Sequence, residues 1–252
     1  MAKKRPKSTT SSWTAVDAAL RSREILSVVC AFQSGIYDDM KALCAAMQRY
    51  GPREHPLYYC PDEICPLVDA IPTERMPALV ACLPYMRNVL FYHAAQNGRL
   101  DLLQFLEATF DMAGVKFLVD FAAQNGHMTV LTYLDGKKMA CTTIAMDSAA
   151  ANGHLHVVQF LHERGKSCTR NAMDSAAANG HLEIVQFLDQ HRDEGCTRQA
   201  LNDAAERGHL EIVRYLHENR YEGDIAMALE TATDAAVVAY LSQVMEEELG
   251  SD

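Results

Sequence analysis

Ala145 to Leu161 reads AMDSAAANGHLHVVQFL, and Ala172 to Leu188 reads AMDSAAANGHLEIVQFL. The two stretches start 27 residues apart and differ at two positions, His156 against Glu183 and Val157 against Ile184. A catalytic site needs its residues once. A phrase repeated at fixed spacing instead describes a unit that stacks on copies of itself. The glycine of each "NG" or "RG" marks five copies, at Gly98, Gly126, Gly153, Gly180 and Gly208, with spacings of 28, 27, 27 and 28.

Aligning the copies on that glycine separates two helical patterns. Before it, adjacent alanines recur in every copy, as Ala94-Ala95, Ala122-Ala123, Ala149-Ala150, Ala176-Ala177 and Ala204-Ala205. Three residues before the first alanine stands a larger apolar side chain: Phe91, Val119, Met146, Met173 or Leu201. At 100° per residue these columns form one apolar stripe, the buried face of a short helix that a neighbour can approach closely. Thr142, Thr169 and Thr197 stand where an N-cap belongs. After the glycine come an aliphatic pair, such as Val157-Val158, and an aromatic-leucine pair, such as Phe160-Leu161, with polar columns between. That pattern predicts a second amphipathic helix. The glycine joins the two as a left-handed C′ residue. One hairpin cannot hide so much apolar surface alone, but a stack can.

The phrases AAANGHLHVVQFL, AAQNGHMTVLTYL, AAANGHLEIVQFL and AAERGHLEIVRYL resemble the ankyrin repeat, and AAQNGRLDLLQFL does so with arginine in the histidine place. The likeness covers roughly residues 88–221. It departs from the family in two ways. Family repeats run about 33 residues, against 27 or 28 here, and the threonine-proline-leucine-histidine opening is replaced by IAMD, NAMD or QALN. The missing residues fall in connectors such as ERGKSCTRN. Where the family carries a projecting β-hairpin finger, a short loop is expected here.

The resulting expectation is an all-α, ankyrin-like helical-hairpin solenoid with short connecting loops and degenerate terminal caps. Residues 1–19 read as a flexible basic tail. Residues 20–85 read as degenerate N-terminal hairpins, one of them around Gly35, with a proline-rich part at 52–84. Residues 86–221 hold the five repeats, and 222–252 a C-terminal capping hairpin with an acidic tail. Proline supports the boundary: apart from Pro6, every proline lies between Pro52 and Pro84, and its absence afterwards permits uninterrupted helix.

Composition narrows the function classes. Hydrophobic residues make up 49% of the chain and its formal charge is -10. A large core is therefore available, while nucleic acid and anionic membranes, which need a positive surface, are poor partners. No apolar run approaches the ~18 residues that span a bilayer. The basic amino-terminal stretch has no apolar core behind it and does not read as a secretory signal. Eight cysteines in such a chain read as free thiols in a reducing compartment. A cytoplasmic location is expected. Lys3 to Lys7, KKRPK, resembles a nuclear-import signal, and its alternative is a solvated basic tail.

Candidate chemistry is thin. His127, His154, His181 and His209 occur once per repeat, and packed helices lie ~8–10 Å apart, whereas zinc needs ligand atoms at ~2.0–2.3 Å. In the resembled family this histidine is structural and holds the turn. Cys141, Cys168 and Cys196 also recur once per repeat and read as fillers of small buried gaps. There is no CxxC, P-loop, GxGxxG or Ser/His/Asp order, so no enzyme, metal or cofactor is expected. Cys60 to Pro72, CPDEICPLVDAIP, faintly resembles the start of an F-box.

The function expected is a non-enzymatic scaffold, a monomer that binds another protein. The alternatives are an F-box-like substrate adaptor for a ubiquitin ligase, or a structural spacer. The resemblance implies that first helices line the concave side. There the outward columns read Tyr92, Asp120, Asp147, Asp174, Asn202 and His93, Phe121, Ser148, Ser175, Asp203. The candidate partner-binding residues are Tyr92, His93, Asp120, Phe121, Asp147, Asp174 and Asn202. The three aspartates would form a negative groove for a basic segment, flanked by the exposed aromatics Tyr92 and Phe121.

Overall fold

A computed structural model describes residues 42–43, 65–82 and 84–249. The chain divides into two units, residues 1–87 and 88–252. In the first, a short helix α1 (Cys65–Asp69) and a 3-10 turn (Thr73–Arg75) lead to α2 (Met76–Cys82), with Val68, Ile71, Met76 and Leu79 buried. The hairpin expected at Gly35, the basic stretch Lys3 to Lys7 and the first part of the F-box-like segment lie outside the described residues.

The second unit is a run of helical hairpins. It comprises α3 (Met86–Gln96), from residue 88 onward, with α4 (Leu100–Thr109), α5 (Leu118–Gln124) with α6 (Met128–Gly136), and α7 (Thr143–Ala151) with α8 (Leu155–Glu163). It continues with α9 (Asn171–Ala178) and α10 (Leu182–His191), α11 (Arg198–Glu206) and α12 (Leu210–Asn219), and a last pair, α13 (Ile225–Thr231) and α14 (Ala235–Leu249). First helices pack side by side in the order α5, α7, α9, α11, α13, and second helices follow in parallel. No strand occurs among the described residues, so the connectors between hairpins are loops, as their length requires.

The apolar stripes account for this order. Ala149, Ala150, Ala176 and Ala177 are fully buried, as are Phe91 and Met146 in the larger column. Their small size lets neighbouring first helices approach across a dry seam. Leu106, Leu134, Leu161, Leu188 and Leu216 bury the second helices, while the aromatics beside them stay half-exposed. Ala177→Leu adds volume to the seam and is expected to cost about 1–3 kcal/mol. An unchanged midpoint in urea denaturation would place this column outside the seam.

The five hairpins from α3–α4 to α11–α12 each turn through a left-handed glycine. At Gly153 φ is +78°. His154 N donates to Ala149 O at 2.9 Å and Gly153 N to Ala150 O at 3.3 Å, the pair of bonds that closes a Schellman C-cap. Two predicted N-caps start the first helices: Thr142 Oγ1 accepts from Ile144 N and Thr197 Oγ1 from Gln199 N. Thr169 makes the same bond, from Asn171 N at 3.1 Å.

Candidate partner-binding surface

Polar side chains on the first helices serve the stack before they can serve a partner. Asp147 Oδ1 accepts from Thr169 N at 2.8 Å, and its Oδ2 accepts from Thr169 Oγ1 at 2.8 Å. Asp174 does the same with Thr197, at 2.7 and 2.8 Å. Asp120 Oδ1 accepts from Thr142 N at 2.9 Å. Each aspartate thus holds the residue that caps the next repeat's first helix, and couples one repeat to the next at the level of the backbone.

These bonds correct the expected acidic groove. Asp120 and Asp174 are buried and Asp147 is half-buried. Burial raises all three carboxyl pKa values above the ordinary range, and the threonine hydrogen bonds only partly oppose the rise. An exposed acidic ridge would instead leave them fully ionised in water. The aromatic flank is corrected too. Phe121 is buried, and Tyr92 lies over it with ring centroids 5.3 Å apart. His93 is fully buried. Of the seven candidates, Tyr92, Asp147 and Asn202 keep partial access to solvent.

What the first helices expose lies one turn earlier. Lys116, Arg170 and Arg198, just before or at the start of α5, α9 and α11, are exposed, and so is Ile144, at 40%, in α7. The accessible charge at the start of α5, α9 and α11 is therefore positive. The sequence columns alone hide it, because helical phase assigns the aspartates to water. A signal is nevertheless present: a threonine follows Asp120, Asp147 and Asp174 after 22, 22 and 23 residues.

The sign of the aspartate titration follows from burial. A carboxyl whose folded pKa is raised contributes stability that is complete below its unfolded value, 3.8 for Asp174, and lost as pH rises through the folded value. Relative to Asp174→Asn, which cannot titrate, the wild-type chain is therefore expected to gain stability as pH falls. Parallel urea curves at several pH values measure that difference. A wild-type advantage that grows with rising pH would contradict the assignment.

The glycine-histidine turns form a second interlock. A Cβ placed on Gly153 would stand 2.7 Å from Cε1 of His181, the histidine of the following repeat. Gly98 faces His127, Gly126 faces His154 and Gly180 faces His209 in the same way. Nε2 of His127, His181 and His209 donates to the carbonyls of Gln96, Ala151 and Ala178 at 2.8, 3.2 and 3.1 Å. The histidines are thereby committed to the turns of their neighbours. In the last hairpin, Gly208 faces Asp234, and Thr233 Oγ1 takes over the donation, to Glu206 O at 2.9 Å. Among the described residues no three His, Cys, Asp or Glu side chains converge as metal ligands would.

Cys168 and Cys196 are buried, and desolvation pushes both thiols up to about 11. At pH 8 the thiolate fraction of each is then about 0.1%. Folded protein is expected to alkylate slowly at both positions, and denatured protein rapidly. Fast modification of both without unfolding would show that the sites are open.

On the second helices, tyrosines pair with acids of the preceding repeat. Tyr133 Oη donates to Glu107 Oε2, and Tyr215 Oη to Asp189 Oδ2 at 2.7 Å. Arg220 joins Asp189 at 3.0 Å. No helix among the described residues is long and apolar enough to cross a membrane.

Hairpins stacked in register, with one turn chemistry and one alanine seam, define an α-helical repeat protein of the solenoid class. The family model described as Ankyrin repeats (3 copies) matches residues 119–196 and 146–228, and the repeats in that stretch are ankyrin repeats. Comparison with curated proteins gives no match. Ankyrin repeats are in general protein–protein interaction modules, and the family is typically non-enzymatic.

Proposed function

We propose that this chain is a non-enzymatic scaffold that binds another protein along the edge where its first helices begin. The observation that carries the reading is the division of labour in each first helix. The aspartate column is consumed by inter-repeat bonds, whereas Ile144, Arg170, Asn171, Arg198 and Gln199 are exposed. A surface held from both sides by its neighbours binds without first having to order itself. Arg170 and Arg198, with Ile144 one repeat before Arg170, suit a segment that pairs carboxylates with an apolar anchor, not the basic segment expected from an acidic groove. The partner residues proposed are accordingly Ile144, Arg170 and Arg198, with Tyr92, Asp147 and Asn202 beside them.

Affinity capture with the full chain, compared with Arg170→Glu/Arg198→Glu, tests this. The reading expects a specific partner that is captured by the wild type and lost by the variant, with circular dichroism unchanged. Equal capture by both chains would move the binding surface elsewhere. Recovery of ubiquitin-ligase scaffold components that is insensitive to these arginines would favour the adaptor alternative.

A further inference from the structure

In the last described hairpin, α13 with α14, the stacking columns are accessible to solvent. Met227 stands in the column of Ala145, Ala172 and Ala200, which are at most 1% exposed, yet Met227 is 43% exposed. Thr231 stands in the column of Ala149, Ala176 and Ala204, all fully buried, and is itself exposed. Val238 is half-exposed where Val158, Val185 and Val213 are fully buried. From α5 to α11 each first helix packs against the first helix that follows it, and the columns named are buried there. Among the described residues no hairpin follows α13 and α14, and the exposed side chains Ala226, Ala235 and Ala239 extend the uncovered surface.

The charge around this face is one-sided. After Arg220 the sequence contains no lysine, arginine or histidine and eight Asp or Glu residues. Asp224, Glu230, Glu246 and Glu247 are exposed, while Asp234 lies toward Gly208 of the preceding hairpin. Two copies of this chain meeting through this same face would bring two acidic rims together, which disfavours that mode of self-association. An anionic membrane is disfavoured for the same reason.

We infer that the α13–α14 face is a docking site for an amphipathic helix of a partner protein, with a face of alanine- and leucine-sized residues and lysine or arginine on its flanks. The helix lies over Met227, Thr231 and Val238 as the first helix of a further repeat would, and its cations meet the acidic rim. Burial of the methionine and valine supplies the apolar contribution. The flanking charges set partner choice and on-rate. This surface is separate from the first-helix edge, so either reading can fail without the other.

The test uses the full chain and a synthetic helical peptide with an alanine-leucine face and lysine flanks, followed by fluorescence anisotropy. Binding is expected to weaken with added salt, to fall at least about tenfold in Met227→Glu and in Thr231→Glu, and to be absent for the same peptide with glutamate flanks. Both substitutions lie at exposed positions, and an unchanged melting temperature confirms that the fold persists. No binding by wild type up to about 1 mM peptide, or equal binding by both variants, overturns the proposal. A fourth chain carries glutamine at Lys3, Lys4, Arg5 and Lys7. Unchanged peptide affinity in this chain supports a partner protein as the occupant. Tighter binding would show that the chain's own basic stretch covers the face, and would overturn it.

Discussion

Gly153→Ala is expected to destabilise the chain by about 2–4 kcal/mol. An L-residue at φ +78° costs about 1–2 kcal/mol in backbone strain. The rest comes from the neighbour. The new Cβ would stand 2.7 Å from His181 Cε1 and 3.0 Å from Nδ1. The imidazole must move, and its bond to Ala151 O weakens, at about 0.5–1.5 kcal/mol for the bond alone. Gly165 is the internal control. It also has a positive φ, +65°, but no atom lies within 4 Å of the place a Cβ would take. Gly165→Ala is therefore expected to cost the strain alone, about 1–2 kcal/mol. Equal shifts of the urea midpoint in the two variants would remove the histidine from the explanation.

Asp174→Ala is expected to cost about 2–4 kcal/mol, because it strands the N–H and the hydroxyl of Thr197 at once. That threonine caps α11, so the loss spreads to the start of the next repeat. Asn202 occupies the same column one repeat later, but its Oδ1 is buried without a hydrogen-bond partner. Asn202→Ala removes no such bond and is expected to change stability by less than about 1 kcal/mol. The residue that caps the following helix there is Asp224, whose carboxylate accepts from Ala226 N and Met227 N. A second aspartate at 202 would set like charges close together, which is a physical reason for the amide at that place. Comparable losses at 174 and 202 would show that the threonine bonds do not couple the repeats.

Much of the architecture was legible because periodicity reports it directly. The alanine pairs and the leucine columns fixed two helices per repeat, and constant spacing fixed the stack. The candidate surface was less legible, since a helical wheel sorts residues by polarity and assigns polar columns to water. Asp120, Asp147 and Asp174 break that assumption: each carboxylate finds its donors on the next repeat rather than in solvent. The clue lay in correlation between columns, for threonine follows every aspartate and both change together at Asn202 and Asp224. The histidines show a similar limit. Their recurrence was visible, but the glycine each one covers belongs to the preceding copy, a relation across 28 or 29 residues that no window within one repeat contains. Tyr133 and Tyr215, with Glu107 and Asp189 as acceptors, are a third example.

The interlocking of each repeat with the next is tested most directly by a double-mutant cycle between Gly153→Ala and His181→Ala. Once His181 is truncated, the alanine at 153 meets no ring and retains only its backbone strain. The two single losses should therefore exceed the loss in the double variant by about 1–2 kcal/mol. The same cycle with His209→Ala, whose ring lies against Gly180 instead, should be additive within about 0.5 kcal/mol. Additivity in the first cycle, or equal coupling in both, would contradict a stack held together turn by turn.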